Sequence, residues 1–201
     1  RCRELPDFCL GVEICEDLWV PSPPSGALAA AGATVIANPS ASDECIAKAD
    51  YRRTLVGGQS ARLVCGYVYA DCGPGESTTD LVFSGHNLIG ENGALLAESP
   101  PFGEGFAVTE LDLERLAGQR RRTTTWPLPP REEFTEVEFS MALRPVALTR
   151  AVSPTPFVPG DPASRAARCR EILAIQAQGL AKRLEHTGAS AAVLGISGGL
   201  D

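Results

Sequence analysis

One cysteine in this sequence is placed where a thiol can do chemistry. An apolar run from Cys9 to Ile14 predicts a short buried strand, and Cys15 follows it directly. Two acids, Glu16 and Asp17, come next, and three prolines soon after them break any regular element. A thiol at the end of a buried strand lies at the rim of a sheet, where open α/β sheets place their reacting groups. The pattern predicts a nucleophile elbow built on sulfur instead of oxygen.

The same cysteine also has a purely structural interpretation. A free cysteine is usually a small buried hydrophobe, and carboxylates beside a thiol oppose its ionisation. A nucleophilic Cys15 therefore needs a cation or a proton acceptor from elsewhere. The two histidines, His86 and His186, fall in different predicted elements, which gives little support to a Cys–His hydrolase of the papain kind. On the residues alone both interpretations stay open.

The elements around Cys15 form a predicted βαβ unit. Residues 25–32 predict a short helix of small residues, and Ala33–Ala37 a second buried strand. That strand ends in the hydroxyl-rich turn Asn38-Pro39-Ser40-Ala41-Ser42. A strand, a helix and a strand in this order imply parallel neighbours, so Cys15 and Asn38 are expected side by side at one sheet edge.

Ser42 has two interpretations. It is either the N-cap of a helix predicted over Cys45–Gln59 or a polar contact to a substrate at the strand rim. Lys48, on the polar side of that helix, is predicted to be a solvated surface charge. We therefore do not assign it a catalytic role.

The rest of the first part of the chain predicts further strands and one helix, joined by turn-rich loops. The predicted strands are Leu63–Ala70, a hairpin of Asp80–Ser84 with Asn87–Gly90, Ala94–Glu98, Gly105–Leu113 and Val137–Met141, and the predicted helix is Asp112–Arg122.

A proline-rich stretch then separates two predicted domains, 1–141 and 162–201, with 142–161 as the linker. After it, Asp161–His186 predicts a long helix capped by Asp161, and Ala191–Ile196 predicts a short buried strand. The strand runs into Ser-Gly-Gly-Leu-Asp at 197–201. A glycine turn after a buried strand binds anions when a helix follows, although most such turns are only turns.

Composition excludes several classes of function. The net charge of −7 argues against sequence-independent binding to nucleic acid or anionic membranes. No apolar run approaches the roughly 20 residues of a membrane-spanning helix. Seven cysteines without a Cys-x-x-Cys pair predict neither a zinc site nor a closed disulfide set. We expect no metal site in this chain and a reducing, cytoplasmic setting.

Three motifs resemble one family. Glu-Ile-Cys-Glu-Asp-Leu-Trp-Val-Pro around Cys15 is similar to the nucleophile segment of the nitrilase (carbon–nitrogen hydrolase) superfamily, and more narrowly of glutamine-dependent NAD synthases. Asn-Pro-Ser-Ala-Ser resembles the second signature of the same glutaminase domains. Ser-Gly-Gly-x-Asp resembles the pyrophosphate-binding loop of ATP-pyrophosphatase-type adenylating enzymes.

The resemblance implies a fold and a first site. The fold is α/β: the C-terminal half of a nitrilase-like α-β-β-α sandwich, then the linker, a long helix and the first strand of a Rossmann-like adenylating domain. The family hydrolyses glutamine through a thioester with a Glu–Lys–Cys triad. Cys15 is then the nucleophile, and Glu16 and Ser42 bind glutamine; Glu16 as a merely solvated acid is the competing interpretation. The triad's Glu and Lys are expected upstream of Arg1.

The resemblance also implies a second site and a set of substrates. Ser197, Gly198, Gly199 and Asp201 are expected to bind ATP, with Mg²⁺ in the full-length enzyme. The expected reaction is ATP-driven amidation of deamido-NAD by ammonia from glutamine, in a homo-oligomer without nucleic-acid or membrane partners. Both chain ends predict an internal fragment that is inactive alone. The alternatives are a stand-alone carbon–nitrogen hydrolase and a non-catalytic interaction remnant.

Overall fold

The computed structural model describes residues 1–103, 105–127, 134–196 and 198–199. Two compact units divide the chain, Arg1–Ala151 and Val152–Asp201. The division falls inside the proline-rich stretch 142–161.

The first unit is built on a five-stranded sheet in the order β1-β2-β3-β4-β5. β1, β2 and β3 are parallel, while β4 pairs antiparallel with both β3 and β5. The strands are β1 Leu10–Val12, β2 Val35–Ser40, β3 Gly66–Asp71, β4 Leu88–Glu91 and β5 Ala94–Glu98, and the helices are α1 Ser25–Ala30, α2 Lys48–Leu63 and α3 Leu113–Arg122.

Small and apolar side chains hold the helices against the sheet. Ile36 and Tyr67, both fully buried, form a common core with Ala29 of α1 and Val56 of α2. Gly11 permits the close approach of β1 to α1, since an added Cβ would lie 3.2 Å from the Cβ of Leu28. Packing of apolar surface on one face therefore fixes the positions of β1 and β2.

The α/β class and the parallel βαβ unit predicted from the sequence are confirmed. Leu10 of β1 lies opposite Val35 of β2, and Asn38 of β2 lies opposite Tyr69 of β3. The carboxyl ends of the three parallel strands consequently meet at one edge of the sheet, with the segments that follow them.

Three strands predicted in the first unit are wrong. The hairpin lies one turn later, between β4 and β5, because the backbone at Leu81–Phe83 bonds to loops: the Glu44 N–H donates to the Val82 carbonyl at 2.7 Å. Residues 105–113 form no strand; Leu111 instead fills the space over Gly66. Residues 137–141 contribute one isolated bridge, Cys2 with Phe139.

The second unit consists mainly of one helix, α4 Pro162–Thr187. Asp161 caps it as predicted, accepting a 2.8 Å hydrogen bond from the Ser164 N–H. Gly188 ends it at φ +64°, a left-handed conformation that suits glycine. The predicted strand Ala191–Ile196 is not formed: its side chains are exposed, and no described strand pairs with it.

Two findings concern the chain as a whole. Within the described ranges, no helix has the length and apolarity needed to cross a membrane. All seven cysteines have free thiols.

Candidate active site

Cys15 starts a tight turn at the end of β1. The turn is a short 3-10 helix, Cys15–Leu18. Cys15 adopts φ +52°, in the left-handed region that side chains with a Cβ rarely enter. Such a conformation costs on the order of 1–3 kcal/mol and persists only where neighbouring groups fix it. Its position, a strained residue between a strand and a helical turn, corresponds to the predicted elbow.

The side chain of Asn38 fixes the backbone of Cys15. The Cys15 N–H donates to Asn38 Oδ1 at 3.1 Å, and Asn38 Nδ2 donates to the Cys15 carbonyl at 3.2 Å. The hydroxyl of Ser40 also donates to Asn38 Oδ1, at 2.8 Å. Within the turn, the Ile14 N–H donates to Asp17 Oδ2 at 2.8 Å. Asp17 therefore supports the turn and does not face the thiol as a free acid.

A buried tyrosine and a buried glutamate support Asn38. Asn38 Nδ2 donates to the Tyr67 hydroxyl at 3.2 Å, and that hydroxyl donates to Glu13 Oε1. Glu13 Oε2 accepts the Ser25 N–H of α1 at 2.7 Å. Burial, reinforced by the bond to Glu13, strongly raises the pKa of Tyr67. The phenol thus stays protonated and keeps donating to Glu13.

The three residues predicted for the glutamine site line one cleft. Cys15, Glu16 and Ser42 meet there in a volume of about 330 Å³. The remaining lining residues are Trp19, Ala41, Asp43 and Lys48. Residues 27 apart in sequence come together because the carboxyl ends of β1 and β2 are neighbours.

Lys48 brings a positive charge to this cleft. Its ammonium donates to the Asp43 carbonyl at 2.5 Å and to Asp43 Oδ1 at 2.9 Å, and it lies 5.3 Å from the Trp19 ring centre. The hydrogen bond from Lys48 is the main cause that lowers the pKa of Asp43. The expectation of a solvated charge is wrong, because the Lys48 side chain is only 19% exposed. The sequence did not show that Lys48 lines the cleft, because the helix was predicted to begin at Cys45, whereas α2 begins at Lys48.

Ser42 is not a helix cap. The N-cap of α2 is Ala47, so that interpretation of Ser42 is wrong. Ser42 is buried, and its N–H donates to Asp71 Oδ1 at 2.9 Å, which ties the segment after β2 to the end of β3. A contact between Ser42 and a substrate stays a prediction.

A buried charged cluster lies behind the ends of β2 and β3. Arg52 is fully buried; its Nη1 donates to Glu44 Oε2 at 3.2 Å and lies 2.7 Å from His86 Nδ1. Since a guanidinium only donates, His86 Nδ1 must accept and Nε2 carries the proton, donating to Glu98 Oε1 at 2.6 Å. Both nitrogens of His86 are thereby engaged, and it is not a base for Cys15.

Asp71 links this cluster to the cleft, because it lies beside Arg52 and accepts a hydrogen bond from the N–H of Ser42, which lines the cleft. Arg52 Nη2 lies 3.8 Å from Asp71 Oδ2, and both side chains are fully buried. Burial is the main cause that raises the pKa of Asp71, against the opposing effects of the Ser42 N–H and the Arg52 charge. No periodic pattern in the sequence indicates this cluster, because Glu44, Arg52 and Asp71 come from three separate segments.

The predicted ATP-binding residues lie at the far end of the second unit. Gly198 and Gly199 are exposed, and a Cβ added at Gly198 would meet no atom of the described residues within 4 Å. Ser197 and Asp201 lie outside the described residues. Among those that are described, no group of three His, Cys, Asp or Glu side chains is arranged to hold a metal ion.

The chain is thus an α/β protein with a strained cysteine at the carboxyl edge of parallel strands. The curated proteins that it resembles in sequence are named glutamine-dependent NAD(+) synthetases. It is 46% identical over 210 residues to the glutamine-dependent NAD(+) synthetase of Mycobacterium bovis, a match covering 98% of this chain and 31% of that protein. The synthetase of Mycobacterium leprae is 44% identical over 208 residues, with the same coverage of 98% and 31%. The predicted resemblance is confirmed.

The remaining comparisons add less. The chain spans about a third, 31%, of the length of the curated relatives it matches. No protein-family model matches it. Among solved structures, a carbon–nitrogen hydrolase from Helicobacter pylori G27 superposes with a TM-score of 0.47 and 22% identity, over 58% of this chain and 44% of that one.

Proposed function

We propose that this chain is part of a glutamine-dependent NAD synthase and that its first unit carries the glutaminase nucleophile, Cys15. The observation that carries the proposal is the elbow: a cysteine at φ +52°, at the edge of a parallel sheet, in a cleft with Glu16 and Lys48. The relatives support it, because 98% of the chain aligns with enzymes of that name.

The proposed chemistry is hydrolysis of the glutamine side-chain amide. The thiolate of Cys15 attacks the amide carbon, and the C–N bond then breaks as ammonia leaves with a proton from an acid–base group. Water cleaves the thioester and releases glutamate. We expect a backbone N–H of the turn that follows Cys15 to stabilise the oxyanion. The resemblance assigns the acid–base Glu and the Lys to positions outside this chain.

The cleft suits the charged end of glutamine. Glu16 offers a carboxylate to the α-amino group, and Lys48 offers an ammonium to the α-carboxylate. Ser42, buried at the same edge, offers a hydroxyl. An uncharged amide would offer no partner to Glu16 and would leave Lys48 with Asp43 alone, so the cleft favours an amino-acid amide.

We propose that the second unit is the first part of the synthetase domain. Gly198 and Gly199, with Ser197 and Asp201, would bind ATP with Mg²⁺, and the enzyme would amidate deamido-NAD with the ammonia. An adenylating reaction makes the carboxylate of deamido-NAD reactive toward ammonia. We further propose a cytoplasmic homo-oligomer, in keeping with seven free thiols.

The test uses Cys15→Ala in the complete enzyme. Glutamine-driven NAD synthesis should fall to background, whereas synthesis from ammonium salts should stay at the wild-type rate. Cys169→Ala, at an exposed thiol on α4, is the matched control and should change neither rate. Glutamine-driven synthesis by Cys15→Ala at the wild-type rate would refute the assignment. A wild-type protein that hydrolyses amides but makes no NAD would indicate a stand-alone hydrolase.

A further inference from the structure

We propose that Asn38 is the positioning residue of the nucleophile: its side-chain amide holds the backbone of Cys15 in the left-handed conformation that aims the thiol into the cleft. The proposal rests on the proposed glutaminase function. Asn38 does not line the cleft and is fully buried, so it acts through Cys15 and not on the substrate.

The argument begins with the end of β1. The Glu13 N–H still donates to the Ala37 carbonyl of β2, at 3.1 Å. Two residues later, Cys15 has left the ladder and turned to φ +52°. Its N–H and carbonyl would both lose their β2 partners at this point, and the amide of Asn38 replaces them with bonds of 3.1 and 3.2 Å. The side-chain amide of Asn38 thereby accepts from the Cys15 N–H and donates to the Cys15 carbonyl, as the backbone of a neighbouring strand would.

Asn38 is itself held on every side. Both hydrogens of Nδ2 are used, toward the Cys15 carbonyl and the Tyr67 hydroxyl. Both lone pairs of Oδ1 are used, by the Cys15 N–H and the Ser40 hydroxyl. Because a backbone N–H only donates, the oxygen of the amide must face Cys15 N, and the amide has one orientation. The Tyr67 hydroxyl donates to Glu13, and Glu13 accepts from the Ser25 N–H, so these bonds connect Asn38 to α1.

Few other side chains can replace this one. Aspartate keeps the acceptor for the Cys15 N–H but loses the donor to the Cys15 carbonyl, and it adds a negative charge near the thiol. Serine is too short to bridge both groups. Since a displacement of about 1 Å at a reacting atom costs on the order of 100-fold in rate, the loss should appear in kcat. KM should change little, because Asn38 makes no hydrogen bond to Glu16 or Lys48.

The experiment compares three variants of the complete enzyme. Asn38→Asp should lower kcat for glutamine by about 100-fold, with KM within about twofold of wild type. Ser40→Ala, which removes one of four bonds to Asn38 without changing charge, should lower kcat by roughly three- to tenfold. Asn92→Asp, in the β4–β5 turn, is the matched control and should behave as wild type. Ammonia-driven synthesis should be unchanged in all three.

A second readout separates this proposal from the function it rests on. Alkylation of Cys15 by iodoacetamide, followed by mass spectrometry of its peptide, needs no glutaminase activity, and Asn38→Asp and Ser40→Ala should slow it in the same order as kcat. If the alkylation order holds but the wild type does not hydrolyse glutamine, the positioning role stands and the proposed function fails. A slow Asn38→Asp beside a wild-type Ser40→Ala would assign the effect to added charge and overturn the positioning role. If Asn38→Asp does not fold, the kcat and the alkylation rate of Ser40→Ala test the positioning role, and wild-type values of both would overturn it.

Discussion

At the scale of single residues, the position of Cys15 at a strand end was easier to predict than the side chains that hold it there. An apolar run followed by Cys15 and Glu16 marks a strand end, and the structure has a strand end there. Asn38 and Tyr67 are 23 and 52 residues further along the chain. The βαβ pattern placed Asn38 beside Cys15, but the hydrogen bonds from Asn38 to Cys15 and to Tyr67 depend on the exact register of three strands, which the apolar pattern alone did not specify. Lys48 was misread for a different reason, since its burial depends on where α2 begins.

The two opposite charges in the cleft lead to a prediction about binding. Glu16→Gln and Lys48→Met should each raise KM for glutamine by about 10-fold or more, because a charge-assisted hydrogen bond contributes roughly 1.5–3 kcal/mol. Steady-state release of glutamate measures KM and kcat separately, and kcat should stay within a few-fold of wild type. Lys182→Met, on α4, is the control for removal of a lysine. An unchanged KM in both cleft variants would show that the cleft binds no zwitterion.

At the scale of elements, the five strands of the sheet were predictable, whereas the strands expected outside it, such as 80–84, were wrong. β1, α1 and β2 are contiguous, and their apolar pattern is local. The segment 80–84 has the same apolar appearance as a strand, yet the Phe83 N–H bonds to the Ser77 hydroxyl at 3.0 Å. Short apolar runs satisfy their backbone groups in more than one way, and the choice depends on distant partners.

The end of β4 contains a carboxylate whose ionisation stabilises the fold. Glu91 is buried; its oxygens accept two 3.0 Å bonds from Arg150 and one of 2.6 Å from the Asp112 N–H, and Arg115 also donates. Burial opposes the charge, but the bonds from Arg150 and Asp112 outweigh it and lower the pKa of Glu91. A carboxyl with a lowered folded-state pKa stabilises above its ordinary pKa near 4.5, and this contribution is lost as pH falls through the folded value.

Glu91→Gln should therefore destabilise the protein in a pH-dependent way. At pH 7 the loss should be about 1.5–3 kcal/mol. At a pH below the lowered folded-state pKa of Glu91 it should shrink, because the wild-type carboxyl is then protonated as well. Urea unfolding at both pH values measures the difference. Glu114→Gln, at an exposed acid in the first turn of α3, should have little effect at either pH. An equal deficit at both pH values would contradict the electrostatic explanation.

At the scale of the whole molecule, two units follow one another along the chain. The sequence predicted a boundary from prolines and a long helix from its caps, and α4 spans Pro162–Thr187. The strand predicted after it needed partners that no described residue supplies. An apolar run is a strand only when a neighbour pairs with it.

The glycine turn that ends the second unit gives a prediction complementary to Cys15→Ala. In the complete enzyme, Gly198→Val should lower glutamine-driven and ammonia-driven synthesis together, by at least 10-fold, because a side chain there blocks backbone approach to phosphate. An added Cβ meets no described atom within 4 Å, so the loss would reflect the ligand and not the fold. Gly160→Val, equally open, is the control. Wild-type KM for ATP and wild-type turnover would mean that Gly198 is only a turn residue.

The indole of Trp19 gives the cleft an optical signal of its own. Trp19 lies 5.4 Å from the Tyr51 ring and 5.3 Å from the Lys48 ammonium, at the wall beside Cys15. The only other tryptophan in this chain, Trp126, stacks on Arg120 at 4.8 Å and does not line the cleft. A ligand that moves Lys48 changes the electric field at the Trp19 indole and does not change it at Trp126. With Trp126 replaced by phenylalanine, the fluorescence of this chain becomes a direct gauge of cleft occupancy, readable in a stopped-flow instrument before any bond is broken.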